Sequence, residues 1–208
     1  MLDSTGFDLW AEEYDKTVEV TEENNAYPFA GYKSVLNSIY NEIMKRPNSK
    51  VLDIGFGTGT LTEKLYEKGH EISGIDFSAK MIAIAKEKMP SANLMEWDIS
   101  NGLPEKVTTN QCDFIVSTYA LHHLSDKDKV TFIKKLISIL KDEGELFIGD
   151  VAYQTREALN ASRQTYQDSW DEEEFYLVAD EITEALKGVA SCKFYAKSHC
   201  AGVLVIKK

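Results

Sequence analysis

Between residues 53 and 59 the chain reads Asp53-Ile54-Gly55-Phe56-Gly57-Thr58-Gly59, a carboxylate followed by glycines at alternate positions. Glycines tighten a turn and let a ligand touch backbone, and the free N–H groups that open a following helix add a binding surface. The same glycines also suit a tight turn that holds no ligand, so the loop needs its context. Two nucleotide chemistries fail on spacing. A dinucleotide fingerprint would need a small third residue at position 60, which is Thr60, and a phosphate loop would need Gly-Lys-Ser/Thr, which is absent. Farther along, His122 and His123 stand side by side. Neighbours i and i+1 do not share a helix face, which argues against a joint metal site, and Cys112, Cys192 and Cys200 contain no CxxC pair. No metal is expected.

An acidic residue at a strand end followed by three alternating glycines resembles motif I of the class I S-adenosylmethionine-dependent methyltransferases. The resemblance covers about residues 7 to 150, and it implies S-adenosyl-L-methionine as cofactor. Gly74-Ile75-Asp76-Phe77-Ser78 sets a carboxylate at the end of a second strand, where it can accept from both hydroxyls of a ribose. Trp97-Asp98-Ile99 resembles the adenine contact, with Asp98 accepting from the exocyclic amine and Ile99 offering its N–H; the family often has glycine where Trp97 stands, so the rim here is bulkier. Asp113 to Leu124 resembles the fourth-strand motif of small-molecule methyltransferases and implies Ser117 and Thr118 beside the methionine part. Phe7 to Asp15 resembles the family's N-terminal lid. Trp10 and Tyr14, four apart, would share a helix face, and an aromatic face beside a sulfonium can supply a cation–π contact of ~0.5–2 kcal/mol. The implied cofactor set is Trp10, Tyr14, Asp53, Gly55, Phe56, Gly57, Gly59, Thr60, Asp76, Phe77, Met81, Asp98, Ile99 and Ser117. Within the family the chain is similar to the ubiquinone/menaquinone-type enzymes and to the YrrT-like group.

The implied activity is in-line methyl transfer to a small metabolite. A sulfonium is already a good leaving group, so the protein mainly orients the reactants and excludes water. A base helps only with a hydroxyl or carbon acid; Tyr14, His122, His123 and Asp150 are candidates, and no spacing selects among them. Nucleic-acid amino-methylating relatives carry an Asp/Asn-Pro-Pro-aromatic motif, and this sequence has no Pro-Pro. Metal-dependent catechol-type relatives carry an Asp-Asn pair after the fifth strand, and none follows Asp150. Two other functions stay open: a non-catalytic module that binds S-adenosylmethionine or S-adenosylhomocysteine, and a nicotinamide-dependent oxidoreductase, which Thr60 disfavours.

Positioning these residues takes alternating strands and helices. Tyr32, Val35, Leu36, Ile39, Tyr40 and Ile43 fall on one face of a helix over 32–45. Strands are expected at 50–54, 71–76, 93–97, 113–117 and 145–150, each of the first four ending at a motif. Thr60-x-x-Glu63 should form a capping box, with Ser78 and Ser125-x-x-Asp128 capping later helices. Residues 154–187 look helical and polar, and the runs 192–197 and 201–206 are close enough to pair antiparallel. The expected fold is α/β: a doubly wound, mainly parallel seven-stranded sheet with an antiparallel last strand, Rossmann-like, under an N-terminal helical lid. It is divided as one domain over 1–208, with lid helices at 1–48, the cofactor-binding core at 49–150, and acceptor-side helices and edge strands at 151–208.

The 208 residues, 43% apolar and 27% charged, suit one soluble globular core, and no apolar run is long enough to span a membrane. A start of MLDSTGFDLW lacks a secretory pattern, and three scattered cysteines fit reduced thiols, so the expectation is cytoplasmic. Net charge −11, with only three arginines, opposes a nucleic-acid partner and leaves a small-molecule acceptor. The acidity is local: residues 1–25 hold eight acids against one lysine, and residues 168–184 hold eight acids and no base. Carboxylates at a pocket mouth would favour neutral or cationic acceptors over anionic ones.

Overall fold

Successive residues of the central strands are apolar, so each strand has to be covered on both faces. Val51, Phe114, Val116, Phe147 and Val203 point into one core, and Leu52, Ile54, Ile115, Leu146, Ile148 and Leu204 point into the other. The computed structural model, which describes Val18, Thr21 and residues 26–208, resolves this requirement as a doubly wound fold. The strands are β1 (Lys50–Ile54), β2 (Glu71–Asp76), β3 (Asn93–Glu96), β4 (Cys112–Thr118), β5 (Leu140–Tyr153), β6 (Leu177–Val178), β7 (Ser191–Ala196) and β8 (Ala201–Lys207). The helices are α1 (Tyr32–Ile43), α2 (Thr62–Glu67), α3 (Ala79–Lys88), α4 (Glu105–Thr108), α5 (Asp126–Ser138), α6 (Arg156–Thr165) and α7 (Ala179–Ala185). Helices α1, α2, α3 and α6 cover the first face; α4, α5 and α7 cover the second.

The sheet runs β3-β2-β1-β4-β5-β8-β7, parallel except for β8, which pairs antiparallel with both β5 and β7. Seven strands make up this path as expected. An eighth, the two-residue β6, pairs parallel with the end of β5 and had no sequence signal of its own. The chain turns from one side of the sheet to the other between β1 and β4, which places the crevice outside their carboxyl ends.

Three local expectations change. Thr60-x-x-Glu63 does not cap α2: Leu61 precedes the helix with no side-chain cap, and the Glu63 N–H donates to the Gly59 carbonyl instead (2.8 Å). Ser78 and Ser125 do cap, accepting from the N–H groups of Met81 and Asp128 (3.1 and 3.2 Å). The polar stretch 154–187 is two helices, α6 and α7, with a loop and β6 between them. Inside the span expected as lid, α1 buries Val35, Leu36, Ile39 and Ile43 against the sheet, and Gly149 is the seat for it, since a Cβ there would lie 2.4 Å from Val35 Cγ1. No described helix is long and apolar enough to cross a membrane.

Candidate active site

β1 ends at Ile54, and all three glycines of the next turn, Gly55, Gly57 and Gly59, are left-handed. Gly55 (φ 70°) donates to the Ile75 carbonyl at 2.8 Å, and a Cβ on it would sit 2.4 Å from that of Ala120. Gly57 (φ 56°) differs: no described residue lies within 4 Å of where its Cβ would be, and its N–H donates to Asp76 Oδ2 at 2.8 Å. Asp76 also accepts from the Ser78 N–H through Oδ1 (2.9 Å). A carboxylate offers about four lone-pair positions, so it can take several donors at once. Gly59 stands behind the loop, against Met89 and Ala85, and Thr60 pairs its hydroxyl with that of Thr58 at 3.3 Å.

These groups border a cavity of about 630 Å³ at the carboxyl edge of the sheet. Asp53, Gly55, Phe56, Gly57, Thr60, Asp76, Phe77, Met81, Asp98 and Ile99 all line it, which brings together ten of the residues expected around a cofactor. Asp53 is its most strained electrostatic element. Thr62 Oγ1 donates to its Oδ2, while its buried Oδ1 has no partner among the described residues. Burial, with the Asp76 charge adding to it, pushes the carboxyl up to about 7. An unpartnered buried acceptor and the open space beside Gly57 both fit a ligand that donates to one and lies against the other. Asp98 caps a short 3-10 turn, accepting from the Ser100 N–H (2.8 Å), and Trp97 fills the rim with its indole N–H on the Gly102 carbonyl (2.9 Å).

Among the described residues, one expected residue besides Gly59 does not line the cavity. Ser117 is buried between strands, donating to the Ile54 carbonyl (2.9 Å), while its neighbour Thr118, expected alongside it, does line the cavity. Trp10 and Tyr14 lie outside the described residues. Tyr32 and Tyr119 line the cavity without having been anticipated. Tyr119 takes the left-handed region (φ 51°), its N–H on the Gly149 carbonyl (2.8 Å), and its ring stands 5.1 Å from Tyr32 and 5.5 Å from Phe29. A bulky residue in that conformation signals a position fixed by its surroundings.

Three base candidates converge next to the cavity. His122 and His123 occupy a 3-10 turn, not an α-helix, and their rings stand 4.3 Å apart. His122 is buried behind the wall, with Nδ1 at 2.7 Å from Asp150 Oδ1 and Nε2 at 3.5 Å from Glu174 Oε1. Burial alone would lower its pKa; the charge and hydrogen bond of Asp150, with Glu174 beyond, outweigh burial and raise it. His123 lines the cavity, and burial together with the neighbouring His122 lowers it to about 4, so at neutral pH it is an uncharged imidazole.

The chain matches a methyltransferase-domain family over residues 51–144. It is 36% identical over 155 residues to a methyltransferase of uncharacterized function from Anoxybacillus flavithermus, covering 74% of this chain and 70% of that one. With a Geobacillus sp. (strain WCH70) methyltransferase the identity is 34% over 190 residues, 87% and 85% of the two chains. Among solved structures, a DhpI–SAH complex superposes with TM-score 0.71 at 20% identity, over 98% and 94% of the two chains. Magnesium protoporphyrin IX methyltransferase from Synechocystis with bound SAH gives 0.68 at 18%, over 86% and 85%.

Proposed function

The chain belongs to the class I S-adenosylmethionine-dependent methyltransferases, and from that premise we propose that it methylates a small neutral or cationic metabolite by in-line transfer. The observation that carries the acceptor class is the cavity lining. Asp53, Asp76, Glu96 and Asp98 contribute four carboxylates, and no lysine or arginine lines the cavity among the described residues. A phosphorylated or polycarboxylate acceptor would meet these carboxylates with no lysine or arginine of the described lining to offset them. The volume of about 630 Å³ lies within the ~300–1,000 Å³ of small-ligand sites and has to hold cofactor and acceptor together.

Bound there, S-adenosylmethionine supplies a methyl group on sulfur that is already a leaving group. The Asp76 carboxylate, at the end of β2 and lining the cavity beside Gly57, suits both ribose hydroxyls. Asp98 and Ile99 on their 3-10 turn suit the adenine edge, and Asp53 Oδ1 suits a hydrogen-bond donor on the amino-acid part. Tyr119 and Trp97 close apolar surface over the cavity and reduce water access. The neutral, weakly basic His123 imidazole is a better hydrogen-bond partner for an acceptor than a proton sink. Methylation of a lone pair on sulfur or nitrogen needs no stronger base than solvent.

The test is a screen for S-adenosylhomocysteine release over acceptors sorted by charge: neutral thiols and phenols, amines, and phosphorylated metabolites. Release with members of the first two classes and not the third is expected. Release confined to phosphorylated acceptors, or seen only with a macromolecule, overturns the proposal.

A further inference from the structure

Next to the cofactor loops, two segments far apart in sequence bring together three side chains of metal-ligand type. One ligand atom each from His122, His123 and Glu174 lie within 4.8 Å of one another. His122 Nε2 and Glu174 Oε1 are 3.5 Å apart. With metal–nitrogen and metal–oxygen bonds of about 2.0–2.1 Å, the edge of a tetrahedral site is about 3.3 Å, so this pair is already spaced for one ion. His123 completes the set from the cavity wall.

What surrounds the three argues for a built arrangement. Asp150, buried on β5, holds Nδ1 of His122 at 2.7 Å and leaves Nε2 directed at Glu174, the carboxylate–histidine pairing that orients metal-bound imidazoles. Glu174 also accepts from the Tyr176 hydroxyl, which itself accepts from Tyr27. The segment carrying Glu174 is tied down twice: the Phe175 N–H donates to the His122 carbonyl at 2.8 Å, and the buried Lys129 ammonium donates to the Phe175 carbonyl. The objection that adjacent histidines diverge applies to an α-helix, and these two sit in a 3-10 turn with their rings together.

We infer that His122, His123 and Glu174 form a binding site for a divalent first-row transition ion, with Asp150 and Tyr176 orienting two of the ligands. Two imidazoles and one carboxylate suit Zn²⁺, Co²⁺, Mn²⁺ or Fe²⁺ and not Mg²⁺ or Ca²⁺, which take oxygen ligands. Three protein ligands leave further positions open, on the side where His123 faces the cavity. An acceptor carrying a thiol, hydroxyl or amine can occupy one of them and be held by its reacting atom. The ion site stands on the geometry of these side chains; only its acceptor-side role rests on the cofactor placement proposed above.

The test uses chelator-treated, tag-free full-length protein titrated with Zn²⁺ by calorimetry and with Co²⁺ by visible spectroscopy. One ion per chain is expected, with Co²⁺ showing d–d bands of nitrogen and oxygen ligation. Glu174→Gln and His123→Asn should each weaken Zn²⁺ binding at least about tenfold, and Asp150→Asn, acting through His122, by about 10–100-fold. S-adenosylhomocysteine affinity of Glu174→Gln should stay at the wild-type level, which shows the variant folded and keeps the cofactor reading separate. Zn²⁺ affinity equal in wild type and all three variants overturns the site. So does a thiolate-to-cobalt charge-transfer band, which would put the ion on Cys192 or another cysteine, or absence of binding by protein that still takes S-adenosylhomocysteine.

Discussion

Substituting alanine at Gly57 and at Gly55 separates the ligand role of the loop from its structural role. Both glycines are left-handed, so either substitution costs about 1–2 kcal/mol in backbone conformation. At Gly57 that is all the described structure loses, because no atom of the described residues lies within 4 Å of the new methyl. At Gly55 the methyl would lie 2.4 Å from Ala120 Cβ, and relieving that overlap adds about 1–3 kcal/mol. For a chain of this size each kcal/mol lowers Tm by about 2–4 °C. Gly57→Ala should therefore melt about 2–8 °C below wild type and Gly55→Ala about 4–20 °C below. Binding should go the other way. The Gly57 methyl occupies space a ligand needs against the backbone; losing about two hydrogen bonds at ~1 kcal/mol each weakens S-adenosylhomocysteine about 30-fold. Calorimetric titration and thermal unfolding of the two variants, run on the same preparations, check this. Wild-type affinity in Gly57→Ala, or a Tm as low as that of Gly55→Ala, refutes the assignment of the loop.

Asp76→Ala removes acceptors for two charge-assisted bonds of ~1.5–3 kcal/mol each, so S-adenosylhomocysteine affinity should fall at least about 100-fold; a loss below about tenfold would take this carboxylate out of ribose recognition. Asp53 gives a pH signature. Its folded pKa is raised to about 7, so the folded state holds a proton that the unfolded chain has released above pH ~4, and stability present in full below that pH is lost as pH rises through 7. Asp53→Asn should gain on wild type by up to about 4 kcal/mol between pH 4 and pH 8 in denaturant titrations, and a pH-independent difference would contradict the raised carboxyl. Phe147→Ala, which empties a fully buried position facing Phe114, should cost about 3–5 kcal/mol while the folded protein keeps its S-adenosylhomocysteine affinity.

How far residue types alone reach depends on how local the interaction is. Ser78 and Ser125 were legible as caps because the hydroxyl and the N–H it satisfies are three residues apart. Thr60 carried the same signal and failed, since the glycine turn sends the Glu63 N–H to Gly59, and Glu63 faces Lys88 across the loop (3.6 Å). Ser117 and Thr118 show the sensitivity of strands: successive side chains alternate in direction, so adjacent hydroxyls have opposite fates. His122 and Asp150 could each be named from their places after β4 and in β5. Their pairing across 28 residues is a product of the β4–β5 register, in which Thr118 stands beside Gly149. Glu174, Tyr119 and Tyr32 had no local pattern, because a loop meets His122, and a left-handed turn and a helix reach the cavity, only in three dimensions.

Acidity is distributed differently in space than along the chain, and this bears on selectivity. In the acidic stretch 168–184, Glu172 pairs with Arg163, Glu181 with Arg156 and Glu184 with Lys187, while Glu174 turns inward to His122. Arg46, the remaining arginine, serves Glu145 and covers the Phe114 ring. Much of that surface charge is thus compensated, and what is left acts through solvent, where attraction and repulsion fade over about 8 Å at physiological salt and about 3 Å near 1 M. Of the carboxylates lining the cavity, Glu96 and Asp98 are exposed at the rim, but Asp53 and Asp76 are buried and are screened far less. If the lining sets acceptor choice, preference for neutral or amine acceptors over phosphorylated ones persists as salt is raised from low values to about 1 M. If the surface segment sets it, the preference collapses over that range, and kcat/KM ratios for one amine and one phosphorylated acceptor measured at both ends distinguish the two.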